Sequence, residues 1–488
     1  MISDQQNNTI GFATQAGAKQ LFLRYGVGFL INAAGTIVIA RKGGPELWGV
    51  FAVSQLVLTI FAVLSHGCWG YLIQSPSAPD KREIGNCYSF QTIVSASWAV
   101  IILALSPFLS DHLSTNALFP LLPATVFGGL FYGWRYVTCA LSERNLQYGV
   151  AASAELSDIL IFNVIAVALA VAGHPYHGIV AGNVLRGIVS TFVAQKWARQ
   201  KLYFHFDKNV MKRVAKFSLP YTSFIALQWL PIYAGPVVAG SFLGIRELGI
   251  LQLAYKTVEY PRVLVTIAFR LSMSVFSRAG KTVNEVRESL KKILDVLFFV
   301  LIPSMGMIVA MSPAWIPFVY GTAWMRMSDV MIIIVFPHLT MAMMMIFSSL
   351  MSARGNAKAS FLFYGIYNMV YWTALVIMTY GIGFFALPLT EWIALTGCII
   401  LIRAIQVAGI GTNIVFRYLG VLFTASLAAA LLWNIALHRT LTETLIASII
   451  MTCLWFLLSP ARKEIVTWVK QHHALDAEYK TASAKSKK

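Results

Sequence analysis

Cysteine is scarce in this chain, acidic residues are few, and no outer loop is long. Only five cysteines occur in 488 residues, at 68, 87, 139, 398 and 453. They lie in or beside apolar stretches without paired spacing, which excludes a disulfide framework and a thiolate metal site and points to buried thiols. Histidine offers no better ligand set, since His472 and His473 belong to a polar tail and His174 and His177 flank a short turn. A Walker motif, a HExxH metal site and a serine-nucleophile elbow are all absent. No catalytic centre is therefore expected. A cleavable leader is not expected either, because residues 1–20 begin with polar side chains and lack a basic region ahead of a short apolar core.

What the chain has in abundance is apolar length. Hydrophobic residues make up 58% of the sequence and charged ones 12%. About fourteen stretches reach the roughly 20 residues that a helix needs to cross a bilayer. Lipid offers backbone N–H and C=O groups no partner, so such stretches must be helical. The spans fall near 20–40, 47–65, 88–109, 117–140, 149–172, 178–197, 217–240, 249–275, 292–312, 329–351, 360–380, 384–408, 414–436 and 443–459. The expected fold is an all-α polytopic membrane protein.

Lys and Arg sit in alternate loops. With the N-terminus inside, 26 of the 38 basic residues face the cytoplasm and only Arg41, Lys42, Arg246, Arg326 and Arg439 face outward. The opposite orientation would invert that split, so both ends are expected in the cytoplasm. The net charge of +18 then reflects contact with anionic headgroups, and no nucleic-acid partner is expected. Between residues 196 and 216 the most basic internal loop carries Trp197, Leu202, Phe204 and Phe206, which suits either a segment lying on the inner surface or a solvated linker.

A repeat organises the pattern. Gly44-Pro-Glu-Leu-Trp-Gly49 returns 200 positions later as Gly244-Ile-Arg-Glu-Leu-Gly249, after spans one and seven respectively. An even number of spans per repeat keeps both halves in one orientation. The expected organisation is a lobe of helices 1–6 in residues 1–200, a second of helices 7–12 in 201–412, a helix pair in 413–460 and a basic tail in 461–488. Pro220, Pro231 and Pro236 should bend or break span seven.

Three segments carry a family resemblance. Ile39-Ala-Arg-Lys-Gly-Gly-Pro-Glu-Leu-Trp-Gly-Val-Phe51, Gly67-Cys-Trp-Gly-Tyr-Leu-Ile-Gln74 and Phe318-Val-Tyr-Gly321 resemble the first outer turn, the end of the second helix and the segment after the ninth helix of the polysaccharide-transport flippases. These are the Wzx-type members of the multidrug/oligosaccharidyl-lipid/polysaccharide exporter superfamily. The resemblance implies a V-shaped two-lobed fold and a cargo of oligosaccharide linked to a lipid diphosphate. It also implies a bacterial inner membrane and, as neighbours there, polysaccharide polymerase and chain-length machinery. A membrane polymerase or glycosyltransferase is the enzymatic alternative, but the short outer loops disfavour it. A small-molecule antiporter of the same superfamily is the other, disfavoured by the two extra spans.

A diphosphate cargo directs attention to cations within the spans, each costly in lipid unless paired or hydrated. Arg24, Arg186, Lys256 and Arg262 lie deep or on the first helix and are the leading candidates to bind it, with Arg270 next. Arg135 and Arg403 lie near the inner face, where snorkelling explains them. Glu155 and Asp158 share a helix face, and Glu259 follows Lys256 by one turn, so these carboxylates are expected to be counter-ions or a coupling site. Asp295, near the inner face, is expected to be solvated. No cofactor is implied.

Overall fold

The computed structural model is helical, with no strand among its described residues. It describes the chain from Ile2 to Arg262 except residues 76 and 114, and from Thr282 to His438 except residues 355, 408, 410 and 412. Isolated positions are described between 263 and 281 and between 446 and 455, and the side chains of residues 2–25, 262, 357 and 438 are outside the description. Cys453, Arg270 and most of the predicted fourteenth span therefore lie outside the described residues.

The chain runs through α1 (Ile2–Gln74), α2 (Lys81–His112), α3 (Leu118–Arg144), α4 (Tyr148–Val171), α5 (Pro175–Ala198), α6 (Lys208–Leu243) and α7 (Ile245–Glu259). It continues through α8 (Val283–Ala310), α9 (Ser312–Val319), α10 (Arg326–Ala353), α11 (Ala357–Ile382), α12 (Ala386–Ala394), α13 (Cys398–Val407) and α14 (Asn413–His438). Nine helical stretches among the described residues are long and apolar enough to cross a membrane, and two of them, 26–74 and 358–407, are about 50 residues long. A crossing takes roughly 20 residues, so each of these two has length for two. The protein is a multi-pass membrane protein.

Two compact units emerge. One comprises Met1–Ala254 with residues 319–327 and 371–390, and the other Tyr255–Phe318 with residues 328–370 and 391–488. In the first, α1 packs on α3, α4 and α6, while α5 packs on α3 and α4. Small residues permit the α3–α5 approach: a Cβ on Gly187 would stand 2.0 Å from the Gly128 carbonyl oxygen, so neither helix tolerates more bulk there. In the second unit α8 packs along α14.

The two repeat turns are alike in conformation as well as in sequence. Gly44 and Gly244 take φ of 72° and 102°, where a side chain would be strained. Gly44 interrupts α1, so spans one and two are joined by a kink with Pro45 opening the second helix, a position where its missing N–H is harmless. The turns also meet. A Cβ on Gly49 would fall 2.0 Å from the Ile245 carbonyl oxygen, and one on Gly249 would fall 1.9 Å from that of Pro45. Beside them Trp48 donates its indole N–H to Gln252 at 2.8 Å.

Helix α6 runs from Lys208 to Leu243 with Pro220, Pro231 and Pro236 inside it and no break, so the prolines do not divide the span. Pro261 instead ends α7, which tightens into a 3₁₀ turn over Tyr260–Arg262. Residues 200–207 form no helix and lie as a strap against the first unit. His205 donates its backbone N–H to the Gly85 carbonyl at 3.3 Å, and Asp207 donates to Asn86 Oδ1 at 2.8 Å. Tyr203 and Phe204 pack edge-on against Tyr88.

Candidate polar site in the membrane interior

Three helices of the first unit meet at one carboxylate, with a fourth behind them. Asp158, on α4, is 6% exposed. Arg135 from α3 places Nη1 3.0 Å from Asp158 Oδ1, and Arg186 from α5 places Nη2 2.6 Å from Oδ2. Tyr132, one turn before Arg135, donates its hydroxyl to Oδ1 at 2.7 Å. The second layer is polar too: Arg135 donates to Ser190 Oγ at 3.0 Å, and Arg186 donates to Gln55 Oε1 of α1 at 3.4 Å. The rings of Tyr132 and Phe162 lie 4.1 Å and 5.0 Å from the guanidinium carbons of Arg135 and Arg186.

Helix periodicity explains why these groups meet. Tyr132 and Arg135 share the α3 face that Gly128 brings against α5, and Arg186 adjoins Gly187 at that close approach. Backbones packed this tightly bring two cations within reach of one carboxylate. Without Asp158 they would be buried charges in a low-dielectric interior, which is prohibitive. With it, the three groups retain one positive charge, and hydrogen-bonding capacity remains. Arg186 Nε and Gln55 Nε2 are buried without a partner among the described residues. The arrangement holds a positively charged, donor-rich patch at membrane depth, suited to a polar anionic group.

The expectation for Arg135 is overturned: it is 5% exposed and turns inward to Asp158 instead of snorkelling. Asp295 is also not solvated. It is 6% exposed and accepts a short hydrogen bond from the Tyr418 hydroxyl of α14. Of the remaining candidates, Glu155 is half-buried one turn before Asp158, and Lys256 and Glu259 are half-buried near the end of α7. Arg24 lies on α1 and Arg262 closes the 3₁₀ turn, but both side chains, with all of Arg270, are outside the described residues. Arg403 is exposed and donates to Gln406. Cys68, Cys87, Cys139 and Cys398 are buried and form no disulfide among the described residues.

A second buried ionisable pair was not anticipated. In the second unit His338 of α10 approaches Glu391 Oε2 at 3.2 Å through Nδ1, which is also 3.1 Å from the Ile334 carbonyl oxygen. Tyr255 stands edge-on to the imidazole at 5.6 Å. The only sequence signal was an ionisable residue within each of two apolar runs, 53 positions apart.

The family description "Polysaccharide biosynthesis protein" matches residues 38–329, which hold the entire Asp158 cluster. The chain belongs to this family. The teichuronic acid biosynthesis protein TuaB of Bacillus subtilis is 23% identical over 344 residues, covering 67% of each chain. The lipopolysaccharide biosynthesis protein WzxC of Escherichia coli K12 is 22% identical over 348 residues, covering 70% of each. Among solved structures, the lipid II flippase MurJ in an inward closed conformation superposes with a TM-score of 0.65 at 14% identity, covering 92% of this chain and 99% of that one. An inward-facing multidrug-resistance transporter of the MATE family gives 0.61 at 13% identity, covering 84% and 99%. The fold is thus that of the multidrug/oligosaccharidyl-lipid/polysaccharide exporters.

Proposed function

We propose that this protein is a flippase that carries undecaprenyl-diphosphate-linked oligosaccharide from the cytoplasmic to the periplasmic leaflet of a bacterial inner membrane. The cargo would serve a surface polysaccharide: O-antigen, capsule or exopolysaccharide. Family membership supports the pathway, and one observation carries the mechanism. Two guanidiniums share the single carboxylate of Asp158 inside the membrane, with Arg186 Nε still unspent. A diphosphate needs such a cationic grip, while its lipid tail can remain in the bilayer. In this reading Arg186, with Arg24, Lys256, Arg262 and Arg270, binds the diphosphate. Asp158, Glu155 and Glu259 act as counter-ions or as a coupling site. The lobes 1–200 and 201–412 alternate access, the helix pair 413–460 and the basic tail follow, and polymerase and chain-length machinery receive the product.

Purified protein in liposomes is expected to move a lipid-diphosphate oligosaccharide between leaflets without changing its mass. Glycosyl transfer or chain extension by the pure protein would replace this reading with the enzymatic one. Orientation has its own test. Single cysteines at the exposed positions Asn116 and His174 should react with an impermeant reagent added outside the cell, and those at the exposed Ser77 and Lys208 should not. Reversed labelling would overturn the topology.

A further inference from the structure

A cavity of about 470 Å³ opens between the beginnings of α8 and α14 in the second unit. Its α8 wall consists of Asn284, Arg287, Glu288 and Lys291, which recur at the three- and four-residue spacing of one helix face. Asn413 and Arg417, one turn apart, form the α14 wall. Arg287, Lys291 and Arg417 make no ion pair with any described residue, and Glu288 is the one carboxylate among the lining side chains. Beneath the cavity the two helices are pinned together. The Tyr418 hydroxyl bonds to Asp295 and also stands 3.3 Å from the Lys291 carbonyl oxygen, so the basic side chains are presented from a fixed seam.

We propose that this cavity is a binding site for a phosphate group, taken from the headgroup of an anionic lipid of the inner leaflet. Two arginines and a lysine offer more donors than Glu288 can absorb, and the planar guanidinium matches phosphate oxygens in pairs. The two asparagine amides add neutral donors, and the N-terminus of the 26-residue α14 contributes its partial positive charge at Asn413. The volume suits a headgroup better than a bare ion. The alternation of basic loops puts the start of α8 at the cytoplasmic face, where lipid phosphate is the most abundant anion. Occupancy would tie the α8–α14 seam to the inner leaflet, and it does not depend on what the protein transports.

The test uses the full chain in mild detergent, titrated separately with phosphatidylglycerol and with inorganic phosphate, with adducts counted by native mass spectrometry. Replacing Arg287, Lys291 and Arg417 together by Gln should weaken phosphatidylglycerol binding about 100-fold, at roughly fivefold per cation near a membrane surface. Glu288→Gln should strengthen it, a gain that misfolding cannot imitate. If inorganic phosphate binds wild type and is lost in the triple variant while lipid binding stays unchanged, the phosphate site stands and its ligand is soluble. If neither ligand responds to the triple variant or to Glu288→Gln, the site is not one for phosphate.

Discussion

The cations of the Asp158 cluster and those of the α8–α14 cavity are chemically the same and physically opposite. Arg135 and Arg186 are held by a carboxylate, a tyrosine and two further polar side chains, with little access to solvent. Arg287, Lys291 and Arg417 stand at an open cavity with their charges unpaired among the described residues. Depth accounts for the difference. In a low-dielectric interior an unpaired ion costs several kcal/mol, so the fold must supply a counter-ion before any ligand arrives. At the surface, water bears that cost and the charges can wait for a partner. Removing a charge should therefore damage stability in the first region and only ligand binding in the second.

The largest effect should come from Asp158→Asn, which strands two buried guanidiniums and should lower stability by about 3–5 kcal/mol. Thermal unfolding in detergent measures it. Replacing Asp158, Arg135 and Arg186 together by Leu, Met and Met should recover most of the lost stability but not transport. Recovery of transport as well would mean that these charges serve the fold alone.

Next, Arg186→Gln leaves Asp158 with Arg135 and Tyr132, and the expected destabilisation is smaller, about 1–3 kcal/mol. Flipping of a lipid-diphosphate oligosaccharide, normalised to folded protein, should be lost, while Arg186→Lys should keep part of it. Unchanged flipping by Arg186→Gln would remove this residue from the cargo site.

In the cavity, Arg287→Gln or Arg417→Gln should change unfolding stability by no more than about 0.5 kcal/mol. A larger loss in either variant would show that these cations too are structural, and the contrast between the regions would collapse.

The smallest effect concerns a charge of a third kind. Asp207, at the end of the strap, accepts backbone N–H bonds from Val210 and Asn209, and these bonds hold its carboxyl below the usual carboxylate range. Its contribution is therefore complete above the unfolded value of about 3.9 and is lost as pH falls through the lower folded value. Fluorescence of Trp197, reported from an otherwise Trp-free variant, should show the strap loosening in that acid range. Asp207→Ala should loosen it at neutral pH and abolish the titration.

Class, helical content and the turn repeat were legible in the sequence because each rests on local pattern: apolar length, Lys and Arg between spans, and glycine at a forced φ. The partners of the buried charges were not. Depth along a span placed Arg135 near the surface, yet the direction in which a side chain points is set by which helix lies beside it. The Gly128–Gly187 contact sets α3 against α5, and Arg135 turns to Asp158 on the neighbouring α4. His338 and Glu391 escaped notice for the same reason, since nothing local marks two single residues on separate helices as neighbours. The prolines of α6 do not break it, because removing a backbone donor permits a break without compelling one.

The meeting of the two repeat turns leaves a mark on how this chain can change. Residue 49 packs on 245 and residue 249 on 45, so each turn is at once the guest and the host of its copy. A gene duplication that began with identical halves would have made both contacts the same, as in a symmetric dimer. Fused into one polypeptide, the copies are free to diverge, but only where both crowded contacts survive. A bulkier residue at 49 must be answered at 245, and one at 249 would crowd both the Pro45 carbonyl and the Gly49 backbone nitrogen, 2.9 Å away. The junction thus allows Pro45 and Ile245 to differ while holding glycine at both 49 and 249, so the repeat stays readable at a turn of six residues.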